Sequence, residues 1–187
     1  MIVVPGKFVY VGSPRTGSHF IYDVLEKAFP EAKRWHEHHA FIADVLNAKR
    51  INGGIPIYTV IRDPVEWLFS FYWNSLRKYP NRIIEDTFET FIRGRKPPNT
   101  PYRKAVDFPP GCLATYRHVA DKFFPFEQDF KTLFKALGVT DTHGVEPTRM
   151  PTPEYLEARK MISEKDKRLV RKYFKHDYEL YDDLNSR

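Results

Sequence analysis

The sequence predicts an α/β fold: a three-layer α/β/α domain around a central parallel sheet of about four or five strands. Short runs of β-branched and aromatic residues alternate with longer segments in which apolar residues recur at helical spacing. The clearest strands are Phe8–Val11 and Ile55–Ile61, and apolar helical patterns follow them at 20–29 and 65–76. Alternation of this kind is typical of a parallel sheet with helices on both faces.

The remaining elements follow the same reading. A short strand at 32–35 and a further strand at 123–126 complete the predicted sheet, with a helix at 130–137 that ends at Gly138. Thr152 and Pro153 predict the start of another helix, because threonine favours the N-cap position and proline the first helical position. Ser163 with Asp166 three residues later predicts the start of one long helix that runs towards Leu184.

Length and composition predict a single domain over residues 1–187. The chain is 42% hydrophobic and 16% aromatic, which is enough to close one sizeable core. Residues 96–111 contain five prolines and little periodicity, so this segment is expected to form a long loop, a lid or rim, within the domain.

The formal charge of +6 favours an anionic ligand. Basic residues are scattered and no nucleic-acid motif of familiar spacing is present, so nucleic acid is not the expected partner. Cys112 is the single cysteine, which excludes a disulfide framework and a thiolate metal cluster within the chain. No signal peptide or long apolar run is evident, and a soluble, cytoplasmic protein without a transmembrane segment is expected.

The segment from Gly12 to His19 lies where the first predicted parallel strand turns into a helix. Backbone N–H groups and the helix N-terminus at such a turn form a cradle for an anion. The segment has the GxxxxG frame of a phosphate loop, so the predicted fold is P-loop-like. Ser18 and His19 stand where an NTPase carries Lys followed by Ser or Thr, which disfavours ATP or GTP hydrolysis.

A second polar pair follows the second strand. Arg62 comes directly after Ile61, and Ser70 lies two helical turns further on. Ligands bind at the carboxyl edge of open α/β sheets, so a guanidinium and a hydroxyl there are placed to hold a second phosphate. On their own, Arg62, Asp63 and Pro64 also fit a salt-bridged turn.

The run from Ser13 to Ser18, together with Arg62-Asp63-Pro64 and Ser70, resembles the two motifs that bind 3′-phosphoadenosine 5′-phosphosulfate (PAPS) in the sulfotransferase superfamily. Glu127 and the ending from Tyr173 to Tyr181 are similar to later segments of that family. The resemblance implies transfer of a sulfuryl group from PAPS to a hydroxyl or amine acceptor, a small molecule or glycan, without a metal, and with adenosine 3′,5′-bisphosphate as the product.

The resemblance also implies roles for individual residues. The loop would hold the 5′-phosphosulfate, and Arg62 with Ser70 would hold the 3′-phosphate. Many family members carry lysine at the position of Arg15; arginine keeps the charge but does not donate a proton. The residues expected to bind PAPS are Pro14, Arg15, Thr16, Gly17, Ser18, His19, Arg62 and Ser70.

Sulfuryl transfer requires a base that takes the acceptor's proton, and a histidine titrates near neutral pH. His36, His38 and His39 cluster before a predicted helix, close to the expected ligand edge. His39 is the first choice because His39-Ala40 resembles a segment of carbohydrate sulfotransferases; His38 and His36 follow, with His19 as a further candidate. A solvated histidine cluster or an adventitious metal site is the alternative reading.

Two other functions fit parts of the pattern. A P-loop nucleotide kinase would need Mg²⁺ and a carboxylate such as Asp63, but the loop lysine is absent. A non-catalytic module that binds a nucleotide or an acidic glycan would need only the anion sites.

Overall fold

The computed structural model describes residues 1–35, 54–78, 87–94, 113–126, 130–147 and 151–186. The predicted Pro-rich loop at 96–111 and Cys112 lie outside these residues. The described elements, in chain order, are β1 (Ile2–Val4), β2 (Phe8–Val11), α1 (Ser18–Ala28), β3 (Lys33–Arg34), β4 (Ile57–Ile61), α2 (Pro64–Lys78), α3 (Phe88–Gly94), a 3₁₀ helix (Ala114–His118), β5 (Lys122–Pro125), α4 (Lys131–Ala136), α5 (Pro153–Lys160), α6 (Glu164–Tyr173) and α7 (Lys175–Asn185).

The described strands form one five-stranded sheet in the order β3-β1-β2-β4-β5. The parallel core predicted from the sequence consists of β2, β4 and β5. β1 runs antiparallel to both of its neighbours, so the sheet is mixed and not wholly parallel. The cause is the short connection Pro5-Gly6-Lys7, in which Gly6 has φ 70° and the Lys7 N–H donates to the Val4 carbonyl. A connection this short joins antiparallel strands only.

Helices cover both faces of the sheet, as the sequence predicts. Every residue of β2 and β4 is buried, which is typical of strands between two helical layers. One face, with Val9, Val11 and Ile61, packs against α2, α3, α6 and α7. The opposite face, with Tyr10 and Val60, packs against α1 and α4. The fold is therefore a three-layer α/β/α domain.

The C-terminal region differs from the single long helix that the sequence predicts. The chain leaves helical geometry at Phe174, whose φ and ψ are −108° and 36°, and α6 and α7 are separate helices. Phe174 is buried beside Val170 and Tyr178 in the same core. The break changes the direction of the chain so that apolar residues from both helices reach that core.

The strand ends place three segments side by side at the carboxyl edge of the sheet. Val11 pairs with Thr59, and Ile61 pairs with Pro125. The residues that follow these strands are Gly12, Arg62 and Phe126, and the Phe126 N–H donates to the Ile61 carbonyl at 2.7 Å. None of the helices within the described ranges is long and apolar enough to cross a membrane.

The predicted cap of α6 is confirmed as a reciprocal capping box. The Asp166 N–H donates to Ser163 Oγ at 3.1 Å, and Asp166 Oδ2 accepts from the Ser163 N–H at 2.9 Å. Ser163→Ala should therefore lower the free energy of unfolding by about 1 kcal/mol and Tm by about 2–4 °C. Ser186→Ala, which removes an exposed hydroxyl at the end of α7, is the matched control and should change stability by less than about 0.5 kcal/mol. Urea unfolding of both variants measures the difference, and equal effects would contradict the assignment.

Candidate anion-binding site at the carboxyl edge of the sheet

The loop between β2 and α1 is a tight turn with two left-handed residues. Arg15 has φ 63° and Gly17 has φ 67°, and turns of this kind direct successive N–H groups into one concavity. Ser13 Oγ donates to the Val60 carbonyl at 3.1 Å, and Thr16 Oγ1 donates to the Ser13 carbonyl at 2.7 Å. Both side chains are fully buried. The Ser13 bond attaches the loop to β4, and the Thr16 bond closes the loop on itself.

Gly12 is required because neighbouring atoms approach it closely. A Cβ atom there would lie 2.4 Å from Ser18 Cβ and 2.6 Å from the Tyr22 hydroxyl oxygen. The Gly12 N–H donates to that hydroxyl at 3.1 Å. Burial raises the pKa of Tyr22 to about 12, so the phenol remains protonated at neutral pH. The glycine that the sequence reading assigned to the phosphate loop thus also brings β2 against α1.

Trp67 attaches the loop to α2 from the other side. Its side chain is fully buried, and its Nε1–H donates to the Pro14 carbonyl at 2.9 Å. The ring packs edge-on against Phe71 and Phe174. In the sequence, Trp67 is one apolar residue of the helical pattern at 65–76, and that pattern does not indicate the backbone contact to the loop.

Arg15 joins the two predicted anion sites. Its Nε–H donates to Ser70 Oγ at 2.9 Å, and its carbonyl accepts from Arg62 Nη1 at 3.2 Å. The residues drawn from two separate motifs therefore lie in one site. Arg15 is half-buried and Ser70 is buried, so the contact is shielded from most of the solvent.

Arg62 is enclosed by neighbours that the sequence did not identify. Its side chain is 12% exposed, and its guanidinium carbon lies 4.6 Å from the centre of the Phe126 ring. Nη2 donates to the Tyr155 hydroxyl at 3.3 Å. Nε is buried and finds no acceptor among the described residues. The one available sequence signal was the position of Phe126, directly after β5 as Arg62 is directly after β4.

A carboxylate lies between two guanidinium groups beside the site. Glu66 Oε1 accepts from Arg159 Nε at 2.6 Å, whereas Glu66 Oε2 lies 3.7 Å from Arg62 Nη2. The hydrogen bond to Glu66 raises the pKa of Arg159 above its usual value, so Arg159 stays charged. The side chains of this group carry two positive charges and one negative charge.

Asp63 caps the start of α2. Its Oδ1 accepts from the N–H groups of Val65 at 2.8 Å and Glu66 at 3.1 Å. Burial, opposed by these hydrogen bonds, raises the pKa of its carboxyl group above the usual 3.8. The carboxylate considered as a Mg²⁺ ligand in the kinase alternative thus has one oxygen occupied by backbone donors.

The other predicted residues divide into two groups. Pro14 and Ser18 are buried in the loop, while Gly17 is exposed and His19 is exposed in the first turn of α1. His36, His38, His39 and Glu127 lie outside the described residues, so their predicted roles are untested. Within the described ranges, no group of three or more His, Cys, Asp or Glu side chains could hold a metal ion.

Comparison with known proteins gives limited similarity. No family model matches the chain, and no curated protein matches it. A comparison with solved structures finds the crystal structure of a sulfotransferase from Alicyclobacillus acidocaldarius. The TM-score is 0.42 and the sequence identity is 16%, and the match covers 92% of this chain and 96% of that chain.

The buried carboxyl of Asp63 predicts a pH dependence of stability. Between pH 3.8 and the raised pKa of Asp63, the folded chain binds more protons than the unfolded chain, so this group's contribution to stability falls as pH rises. Asp63→Asn keeps the capping oxygen and abolishes the titration. The stability of Asp63→Asn relative to wild type should therefore increase as pH rises through this window and then level off. Urea unfolding from pH 4 to 7 measures it, and a relative stability that decreases with pH would show that the native pKa is lowered.

Proposed function

We propose that the protein is a sulfotransferase that moves a sulfuryl group from PAPS to a hydroxyl or amine acceptor. The observation that carries the proposal is the contact of Arg15 with both Ser70 and Arg62. A loop suited to one anion and a buried guanidinium suited to a second are thereby neighbours at one edge of the sheet. Two separate anionic groups at opposite ends of one nucleoside are the feature that distinguishes PAPS from ATP.

The loop would hold the 5′-phosphosulfate. Left-handed residues at 15 and 17, followed by the N-terminus of α1, provide backbone donors and a favourable dipole for an anion. Arg15 carries a permanent positive charge beside this loop. It would stabilise the charge that develops on the bridging and sulfuryl oxygens during transfer.

Arg62 and Ser70 would hold the 3′-phosphate. Arg62 Nε has no acceptor among the described residues, and a guanidinium offers five N–H donors, so donors remain for a phosphate. Ser70 Oγ accepts from Arg15 and still has its own proton to donate. Buried donors without acceptors are unfavourable, and an anionic ligand would satisfy them.

The proposed reaction is a direct in-line transfer. The acceptor oxygen or nitrogen forms a bond to sulfur while the bond between sulfur and the bridging phosphate oxygen breaks. Adenosine 3′,5′-bisphosphate leaves, and the acceptor's proton passes to a base, for which His39 is the proposed residue. Arginine at position 15 does not supply a proton to the leaving group at neutral pH, so its contribution is electrostatic.

Ligand binding tests this function against the kinase alternative. Adenosine 3′,5′-bisphosphate should raise Tm far more than ADP or ATP with Mg²⁺, because it alone occupies both anion sites. Thermal unfolding with each nucleotide measures the difference. Equal shifts with ATP and Mg²⁺ would favour phosphoryl transfer, and binding without transfer of labelled sulfate from PAPS to any acceptor would favour a non-catalytic module.

A variant of Arg62 locates the 3′-phosphate. Arg62→Ala should weaken binding of adenosine 3′,5′-bisphosphate by about 1.5–3 kcal/mol, the range for hydrogen bonds to charged groups, and leave affinity for adenosine 5′-phosphosulfate nearly unchanged. Arg93→Ala, at an exposed arginine of α3, is the control for charge. Titration calorimetry with both ligands measures the effect, and an equal loss for the two ligands would remove Arg62 from the 3′-phosphate site.

The proposed base has a kinetic test. His39→Ala should lower kcat by roughly 10²–10⁴-fold while PAPS binding stays near normal, and the wild-type rate should fall as pH drops through the pKa of the histidine. His36→Ala and His38→Ala are the internal controls. Loss of turnover in one of those two instead would move the role within the cluster, and full activity of all three would exclude the cluster as the base.

A further inference from the structure

Glu66 is hydrogen-bonded to Arg159 and forms a longer ion pair with Arg62 that includes no hydrogen bond. Glu66 is the one acid among the three side chains Arg62, Glu66 and Arg159. Its two oxygens lie at different distances from the two arginines. The 2.6 Å contact to Arg159 is a hydrogen bond, whereas the 3.7 Å separation from Arg62 is beyond hydrogen-bond distance. Arg159 therefore holds the carboxylate that would otherwise be available to Arg62.

Among the described residues, the groups that accept hydrogen bonds from Arg62 and the ring that it covers are neutral. Its two terminal nitrogens donate to the carbonyl of Arg15 and the hydroxyl of Tyr155, and its face lies on the ring of Phe126. These contacts fix the orientation of the guanidinium without cancelling its charge. Arg62 is 12% exposed, its hydrogen bonds go to neutral groups, and its ion pair with Glu66 is long, at 3.7 Å. Such a guanidinium binds an anion more strongly than one that already forms a hydrogen-bonded salt bridge.

We infer that Arg159 is a positioning residue of the nucleotide site: by hydrogen-bonding Glu66 it limits the contact of Glu66 with Arg62 to a long ion pair, so that the N–H donors of Arg62 remain available to an anion. The inference rests on the proposed binding of a 3′-phosphate by Arg62. It assigns to α5, an element outside both sequence motifs, control over the affinity of this part of the site. Arg159 need not touch the ligand.

The attachment of α5 to α2 does not depend on Arg159 alone. Tyr155, one turn before Arg159 on α5, packs its ring against Phe69 at 5.5 Å and Trp73 at 6.2 Å. Its hydroxyl contacts Arg62 as well. Loss of the Arg159 side chain should therefore leave α5 in place and free the carboxylate of Glu66, which separates an electrostatic role from a structural one.

Two single substitutions should have opposite effects. Arg159→Gln frees Glu66 to form a hydrogen-bonded salt bridge with Arg62 and should weaken binding of adenosine 3′,5′-bisphosphate by about tenfold. Glu66→Gln removes the competing charge and should tighten binding by about threefold or more. The double variant Glu66→Gln/Arg159→Gln should bind close to wild type. Affinity for adenosine 5′-phosphosulfate, which has no 3′-phosphate, should change little in all three variants.

The controls separate this mechanism from loss of charge and from loss of structure. Lys160→Gln removes the neighbouring exposed cation of α5, which pairs with Glu157 instead of Glu66, and should leave both affinities within about twofold of wild type. Calorimetric titration gives the affinities, and thermal unfolding of each variant checks the fold. Weaker binding in both Glu66→Gln and Arg159→Gln would mean that their salt bridge serves only to attach α5, and the inference would be wrong.

The outcome for the wild-type protein distinguishes this inference from the proposed function. If wild type binds adenosine 3′,5′-bisphosphate but Arg159→Gln binds it equally well, only the role of Arg159 is overturned. If wild type binds neither nucleotide, the proposed function fails and the inference fails with it. Opposite signs for the two single variants, with recovery in the double variant, would support it.

Discussion

The hydrogen bonds of Arg15 are the contacts on which the candidate site depends. Its side chain reaches Ser70 on α2, and its carbonyl receives Arg62 from the end of β4. This single residue therefore joins the loop after β2 to the segment after the neighbouring parallel strand. The left-handed backbone at Arg15 is uncommon for a residue with a side chain, and it is maintained by the bonds of Ser13, Thr16 and Trp67 around it.

Arg62 brings an unsatisfied hydrogen-bond donor to the site, and such a donor suits an anion. Its Nε is buried and has no acceptor among the described residues. A buried polar group left unpaired costs about 1–3 kcal/mol. The Arg62 donor lies beside the loop, where an incoming phosphate would provide acceptor oxygens. The hydrogen bond that a phosphate would form with Arg62 would then both satisfy the buried donor and contribute to the affinity for the ligand.

Helix α5, on the surface of the fold, contacts charged side chains of the candidate site. It has no buried residue, yet its Tyr155 contacts Arg62, directly after β4, and its Arg159 contacts Glu66 on α2. Tyr155 and Arg159 have the i, i+4 spacing that places side chains on one face of a helix. Substitutions on α5 can therefore affect the Arg62 guanidinium, directly through Tyr155 and indirectly through Arg159 and Glu66.

The sequence by itself determined the elements whose cause is local. Hydrophobic periodicity predicted β2, β4, α1 and α2 because it reflects which face of each element is buried. The capping residues Thr152 and Ser163 predicted where α5 and α6 begin, because a side-chain cap acts within one turn. Strands followed by glycine or arginine also placed the loop, Arg62 and Ser70 at one edge of the sheet, because parallel strands end on the same side.

Only the tertiary structure decided the features that depend on residues distant in sequence. The antiparallel pairing of β1 with β3 joins Ile2 to Arg34, and the break at Phe174 lies where this residue is buried among residues of other helices. Tyr155 and Arg159 carry no recognisable spacing relative to Arg62 and Glu66, since they contact these residues from α5 across the fold. Their effect on the charge and orientation of Arg62 exists only after α5 has packed against α2, because hydrogen bonds and Coulomb interactions act over a few ångströms of space whatever the separation along the chain.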